Sequence, residues 1–195
     1  MIPCSKWSYS TRYDNSTRSD LRSGDGREMP RDITKMEHRV IEDPPLNVVL
    51  YRPEIPANTG SIARLCAAAE VRMHLIHPLG FKVDDKHLKR AGLDYWHEVD
   101  VRHHDSFEEF LAQREREGEG NLIAFSKYAS PDYTKAGVNR GDYLVFGQET
   151  LGLPSDIRDR YPCYKIPIWG AVRSLNLSTS VGIVVYHYLH ELGRF

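Results

Sequence analysis

Short apolar runs recur along this chain, each separated from the next by a stretch able to form a helix. Residues 46–51 (Leu-Asn-Val-Val-Leu-Tyr), 72–77, 121–126 and 142–147 have the length and character of strands, and 164–168 reads as a shorter one. Strands covered on both faces read as near-continuous apolar stretches, and strands alternating with helices form parallel sheets. The expected class is therefore α/β, with a mainly parallel sheet flanked by helices. The helices are predicted at 58–69, with Asn58 as N-cap, at 84–91, and from the capping box Ser106-Phe-Glu-Glu109 to about residue 117. A last helix carries Leu177, Val181, Val184, Tyr188 and Leu192 at helical spacing and ends near Gly193. Pro154 suits the first turn of a further short helix.

Residues 1–45 differ from the rest. They hold eight Lys/Arg and eight Asp/Glu, only Ile2, Leu21, Ile33, Val40 and Ile41 as large aliphatics, and no Phe. Such a stretch buries too little apolar surface to offset its ordering entropy. It is expected to be a disordered N-terminal tail, or a mis-assigned start if translation begins at Met29 or Met36. Pro44-Pro45 then marks the edge of a single domain, 46–195. No run approaches 18 apolar residues, so no membrane span is expected, and the N-terminus lacks the apolar stretch of a secretory signal. Cys4, Cys66 and Cys163 form no CxxC pair, which fits a reduced cytoplasmic setting without zinc. With a net charge of −1, any nucleic-acid surface has to be a local patch.

No GxGxxG follows the first strand and no GxxxxGK[ST] occurs, so neither a dinucleotide fingerprint nor a P-loop is present. Three other segments carry chemistry. Pro53-Glu-Ile-Pro-Ala-Asn-Thr-Gly-Ser-Ile-Ala-Arg64 leads through a turn into a helix start, whose free N–H groups attract anions, with Arg64 able to add a planar fork for phosphate. Phe146-Gly-Gln-Glu-Thr-Leu-Gly-Leu-Pro154 follows a strand, and its Gly147 and Gly152 leave room for close backbone approach to a ligand. Ile166-Pro-Ile-Trp-Gly-Ala-Val-Arg-Ser-Leu-Asn-Leu-Ser178 runs into the last helix, with more polar groups (Ser174, Asn176, Ser178) than one cap needs. Taken singly, each segment also reads as an ordinary turn or capped helix.

Together the three segments resemble the signature motifs of the SpoU branch of SPOUT RNA 2′-O-methyltransferases. They are most similar to the TrmL type, the tRNA (cytidine/uridine-2′-O)-methyltransferases of the wobble nucleotide. The resemblance spans about 46–194 and includes 46–60, His77-Pro-Leu-Gly-Phe81, 84–95 and 102–111. It implies a C-terminal deep trefoil knot, S-adenosylmethionine as methyl donor without metal, tRNA as substrate, and a homodimer whose active sites draw on both chains. By position, Phe125, Gly147, Ile166 and Ser174 line the adenosylmethionine pocket, with Leu153 and Leu175 as neighbours. The chain departs from the usual pattern at Gln148, where Pro or Asn is common, and at Leu151, where Arg is common.

The resemblance also implies the catalytic set. Arg64 matches the residue assigned to the attacking ribose hydroxyl. A guanidinium is a poor base, so the preferred role is clamp and electrostatic stabiliser. Glu149 is expected to orient Asn176 and the loop by hydrogen bonds, Ser178 belongs to the same set, and Arg173 and Tyr186 match substrate-binding or catalytic positions. Tyr186 has a second reading as a core-edge aromatic. His103-His104-Asp105 reads as a solvated strand-to-helix connection, since no metal spacing accompanies it. His97 and His187 read as structural, Trp96 as packing, and Trp169 as packing or a base-stacking side chain. Other readings of the chain are a SPOUT methylase acting on ribosomal RNA or another tRNA position, and a silent RNA-binding module.

Overall fold

A computed structural model describes residues 39–81, 96, 98–118 and 120–195. The strands are β1 (Asn47–Tyr51), β2 (Arg72–Ile76), β3 (Val101–His104), β4 (Leu122–Phe125), β5 (Tyr143–Phe146) and β6 (Cys163–Tyr164). They form one sheet in the order β3-β2-β1-β5-β4-β6, and every pairing is parallel. The helices are α1 (Pro56–Ala69), α2 (Phe107–Glu117), α3 (Ser155–Arg160) and α4 (Leu177–Glu191). The helix expected at 84–91 lies outside the described residues.

The inner strands β1, β4 and β5 are almost wholly apolar because both faces are covered. On β1, Val48 and Leu50 face α1 and α4, while Val49 faces α2 and α3; on β5, Leu144 and Phe146 pair with the first face and Tyr143 and Val145 with the second. Each such side chain, fully buried, stabilises the fold by about 1.5–3 kcal/mol. On one side α4 presents Val181, Val184, Val185, Tyr188 and Leu189, and α1 presents Ile62, Ala63 and Cys66. Trp96 is buried in this layer as expected. Burial pushes the Cys66 thiol well above its ordinary range. Gly193 takes φ +72° just past α4, the left-handed geometry of a helix-ending glycine.

Two local expectations change. Asn58 is not the N-cap of α1. Pro56 opens the helix, as its fixed φ allows, and Ile55 is the capping residue with no side-chain bond of its own. The histidines after residue 101 are not a solvated connection. β3 runs on through His104, which is buried, stacks on His74 at 5.2 Å and lies 3.0 Å from it between Nδ1 and Nε2. Phe110 and Tyr143 wall this pair in. Burial lowers the pKa of both rings, helped on His74 by His104, Arg72 and Arg102; on His104 it outweighs the opposing pull of Glu109 and Glu117, with Arg102 and His77 adding to it. On the other face of the same strands His77 and His103 make a second contact at 3.0 Å. Among the described residues no group of three or more His, Cys, Asp or Glu could hold a metal ion.

At the amino ends of the strands, Asp100 is buried between Arg72 and Arg102, each 2.8 Å away. Burial alone would raise its carboxyl, but hydrogen bonds from Arg102, the Ile41 N–H and Arg72 outweigh that and hold it below its ordinary range. Of the stretch assigned to the tail, residues 39–45 are described, and they are anchored here. The Ile41 N–H donates to Asp100, the Ile41 carbonyl accepts from Arg72, and Arg140 holds Asp43.

The chain leaves β3 at one edge, restarts at β4 and returns to β5 beside β1. Residues 165–176 then run from the β6 edge back towards α1, against which α4 packs. They are tied to the loop after β4, for the Lys165 N–H donates to Pro131 and the Tyr133 N–H to Lys165, both at 2.8 Å. This reversal of strand order sets a crevice at the carboxyl ends, where open α/β sheets bind ligands. No described helix is long and apolar enough to cross a membrane.

Candidate active site

The crevice is a cavity of about 310 Å³ at the carboxyl ends of β4, β5 and β6. Phe125 and Phe146 stack at 5.1 Å and 17°, and Ile166, Ile168 and Leu175 extend this apolar wall. The first residues of α1 and α4 also border the cavity, through Ile55, Asn58, Asn176 and Ser180, so two helix N-termini turn their positive ends towards it.

The loop after β5 folds back on its own start. The Gly152 N–H donates to the Gln148 carbonyl at 2.9 Å, and Gly152 sits at φ +72°. A Cβ on Gly147 would meet the Gly152 carbonyl carbon and the Leu153 nitrogen at 2.2 Å. Glycine at 147 is thus demanded by the chain's own backbone, where the sequence suggested close approach to a ligand. The wall of the cavity along 147–152 includes two glycines, Gly147 and Gly152, which have only main chain to present to it.

A directional relay of hydrogen bonds joins three loops. The Glu149 carboxylate accepts from the Glu54 N–H at 2.8 Å, the Ile55 N–H at 3.2 Å and the Asn58 amide at 2.9 Å. Asn58 Oδ1 accepts from the Asn176 amide at 2.9 Å. Asn176 Oδ1 in turn accepts from the Ser178 N–H at 2.8 Å and the Ser178 hydroxyl at 2.6 Å, which caps α4. Each amide donates on one side and accepts on the other, so the network admits one orientation of both. A reciprocal clasp runs beside it, with Glu54 accepting from the Thr150 N–H and hydroxyl at 3.0 and 2.7 Å. Charge-assisted bonds of this kind are the stronger class.

Phe125, Gly147, Ile166, Ser174 and Leu175 line the cavity, as do Glu149 and Asn176. Leu153 does not. Its side chain is buried beneath, among Val49, Val145 and Ile157, and only its backbone approaches Gly147. Glu149 reaches Asn176 through Asn58, not directly. Ser178 stands at the α4 cap. Arg173 is exposed on the loop before α4 and is not among the lining residues. Tyr186 is 46% exposed on α4, its ring 6.1 Å from that of Phe195. Arg64 also lies outside the lining, on an exposed stripe of α1 with Ala57, Ser61 and Ala68. The structure does not bring it to the cavity of its own chain. Trp169, with 92% of its surface exposed, packs on little of its own chain.

Sequence reasoning missed Glu54 and Thr150, and it took Asn58 for a cap. The signal available for Asn58 was Pro56, which belongs at the start of a helix and moves Asn58 inside the first turn. Glu54 and Thr150 are nearly a hundred residues apart and leave no local trace.

The SpoU rRNA Methylase family model matches residues 45–186. The chain is 46% identical over 151 residues to the tRNA (cytidine(34)-2′-O)-methyltransferase of Escherichia coli K12, covering 76% of this chain and 94% of that one. A solved structure concerned with the 2-OH methylation of C/U34 on tRNA superposes with a TM-score of 0.72 at 48% identity, covering 76% of this chain and 97% of the other. The SpoU methyltransferase AviRb from Streptomyces viridochromogenes, in complex with the cofactor AdoMet, shares the fold at 22% identity, with a TM-score of 0.66 over 85% of this chain and 63% of that one.

Proposed function

The chain belongs to the SpoU methylase family, and from that premise we propose that it is an S-adenosylmethionine-dependent tRNA 2′-O-methyltransferase. Its target is the ribose of nucleotide 34, cytidine or a modified uridine, in the anticodon loop. The observation that carries the reading is the convergence of three sequence-distant segments on one cavity, joined through Glu149, Asn58 and Asn176.

The cavity fits adenosylmethionine. Its volume lies within the usual range for a small-molecule site. The stacked Phe125 and Phe146 rings with Ile166 and Leu175 offer apolar surface to a purine, and the main chain around Gly147 with Ser174 offers hydrogen bonds. Phe125, Gly147, Ile166, Ser174 and Leu175 hold the cofactor in this reading, and Leu153 takes part through its backbone alone. When bound, the cofactor supplies a methyl group on a sulfonium. The chain's own task is to hold the ribose hydroxyl in line and to stabilise the charge that develops on its oxygen as the proton leaves. Arg64 is the clamp and stabiliser. Glu149, Asn58, Asn176 and Ser178 position the loops, and Arg173 and Tyr186 meet the RNA.

The protein acts as a homodimer in this reading. Arg64 stands away from its own cavity, on a helix face whose other members are small enough for close approach, so a second copy completes the site. Residues 46–195 form the methyltransferase domain, and the protein works in the cytoplasm, where its substrate is. We also infer that the C-terminal segment is knotted. The support is family membership and the path of residues 165–176, which double back along the carboxyl ends while tied to the loop after β4.

The test is transfer of a tritiated methyl group from adenosylmethionine to total RNA, followed by nucleoside mapping. Label in 2′-O-methylcytidine or a 2′-O-methyluridine derivative at nucleotide 34 is expected. Label only in ribosomal RNA, or at another tRNA position, overturns the substrate, and no transfer at all overturns the activity.

A further inference from the structure

At the mouth of the cavity, beyond the end of β4, two cations share one aromatic ring. The Lys127 ammonium lies 5.1 Å and the Arg158 guanidinium carbon 5.0 Å from the centroid of the Tyr128 ring. That ring is 61% exposed, and Lys127 and Tyr128 line the cavity. Arg158 reaches over from α3 and is steadied by its Nε, which donates to the Leu153 carbonyl at 3.1 Å. The ring thus holds two like charges at most about 10 Å apart, roughly one Debye length at 0.1 M salt, so each feels the other.

Lys127 is the one Lys or Arg among the described residues lining the cavity. Arg39, Arg102, Arg140 and Arg194 each rest on a carboxylate. Among the described residues neither Lys127 nor Arg158 is ion-paired. In a chain whose net charge is −1, an uncompensated pair beside the cavity marks a local anion-binding surface. Two cations on a rigid ring, without a shaped pocket around them, suit the backbone phosphates of a polymer passing the cavity.

We propose that Lys127, Tyr128 and Arg158 form a clamp for the RNA backbone, gripping the phosphates next to the nucleotide whose ribose enters the cavity. This rests on the RNA methyltransferase reading above. The contact is to phosphate, so it adds affinity and register without selecting sequence.

The experiment is fluorescence anisotropy with an anticodon stem-loop RNA across a salt series, on the full chain. Each lost phosphate contact lowers the slope of log affinity against log salt by about 0.7 for single-stranded RNA and weakens binding about fourfold at 0.15 M salt. R158Q is expected to show that loss, R158K to keep the wild-type slope, and K127Q/R158Q to lose about twice as much. Calorimetry should find the adenosylmethionine Kd of R158Q within about twofold of wild type. A wild-type slope in K127Q/R158Q overturns the clamp. Equal impairment in R158K and R158Q overturns it too, because the tether to Leu153 would then explain the effect. So does a loss of cofactor affinity in R158Q, since the cations would then serve the cofactor. Wild-type protein that methylates RNA while the variants keep its slope sinks the clamp alone, whereas wild-type protein that binds no RNA sinks the methyltransferase reading with it.

Discussion

The two ends of the sheet each hold a cluster of polar side chains, and the clusters are built on opposite plans. At the carboxyl ends, Glu149, Asn58, Asn176 and Ser178 are joined by bonds that also use backbone N–H groups, and they border an open cavity. Towards the amino ends and the β3 edge, His74, His104, Arg72 and Asp100 are sealed in the core, where titratable groups neutralise one another or stay neutral. Polar character alone does not separate a working site from a structural one. Access does, together with the kind of donor that satisfies the acceptors. In the first cluster the donors come from loops and helix starts, so its integrity sets the shape of the cavity. In the second they come from strands already fixed by the sheet, with one N–H added by Ile41.

The hardest blow to the first cluster is Glu149→Ala. It strands the Glu54 and Ile55 N–H groups and the Asn58 amide at once, at a cost of about 2–4 kcal/mol. Methyl transfer should fall at least about 10²-fold and cofactor affinity should fall as well, read by single-turnover kinetics and calorimetry. Glu149→Gln should rescue little, because its NH₂ would face a donor. Activity near wild type in either variant would mean that the loops hold their shape without the relay.

Arg64→Ala probes what the first cluster leaves to the helix face. Loss of one preorganised donor lowers turnover by about 10²–10³, while the adenosylmethionine Kd should stay nearly unchanged. Mixing this variant with a cofactor-binding-defective one should restore part of the turnover if a second copy supplies Arg64. No restoration would confine the site to a single chain.

The second cluster should reveal itself through pH. Both histidines have folded pKa values below that of the unfolded chain, so the unfolded state takes up protons first as pH falls. Their stabilisation is complete above about pH 6.5 and is lost below it, by up to about 1.4 kcal/mol per pH unit for each ring. Urea midpoints between pH 7.5 and about 5 should therefore drop, and less steeply in His104→Phe. Asp100, held low, contributes fully above the ordinary carboxylate range and loses that contribution only below it, outside this window. A flat profile would show that the pair titrates alike folded and unfolded.

The smallest effect is expected at the N-terminus. Removing residues 1–38 should leave the melting temperature unchanged, given their low apolar content. Removing 1–43 also deletes Ile41 and Asp43, which bond Asp100, Arg72 and Arg140. That costs about 1–2 kcal/mol, or about 2–8 °C for a domain of this size. Equal melting temperatures for the two truncations would mean the anchors add nothing.

Much of the architecture was legible because β1, β4 and β5 are largely apolar on both faces, and four strand-like runs at helix-sized intervals admit few sheets other than a parallel one. The strand β3 was not among those runs. His103 and His104 look hydrophilic, and only the stacking of His104 on a partner thirty residues away shows that the strand continues. Three of the site's loops were visible as motifs, since turns and caps have local chemistry. What those motifs bond to was hidden. Asn58 mimics a cap in sequence, and its true partners lie on two distant loops. Gly147 was read as a glycine that leaves room for a ligand, and the structure adds a reason the sequence could not show, because a Cβ there would meet residues 152 and 153 of its own chain.

The return of that loop upon Gly147 has a bearing on how such a protein can diversify. Where the wall is glycine, at 147 and 152, it presents the same carbonyls and amides whichever side chains the rest of the loop carries. Leu151, Tyr128 and Trp169, all largely exposed around or near it, are under no such constraint. Exchanges at these rim positions alter which polymer approaches, and leave what the wall itself recognises untouched. A library varied only at the three rim residues should therefore yield proteins that differ in RNA preference and agree in cofactor affinity.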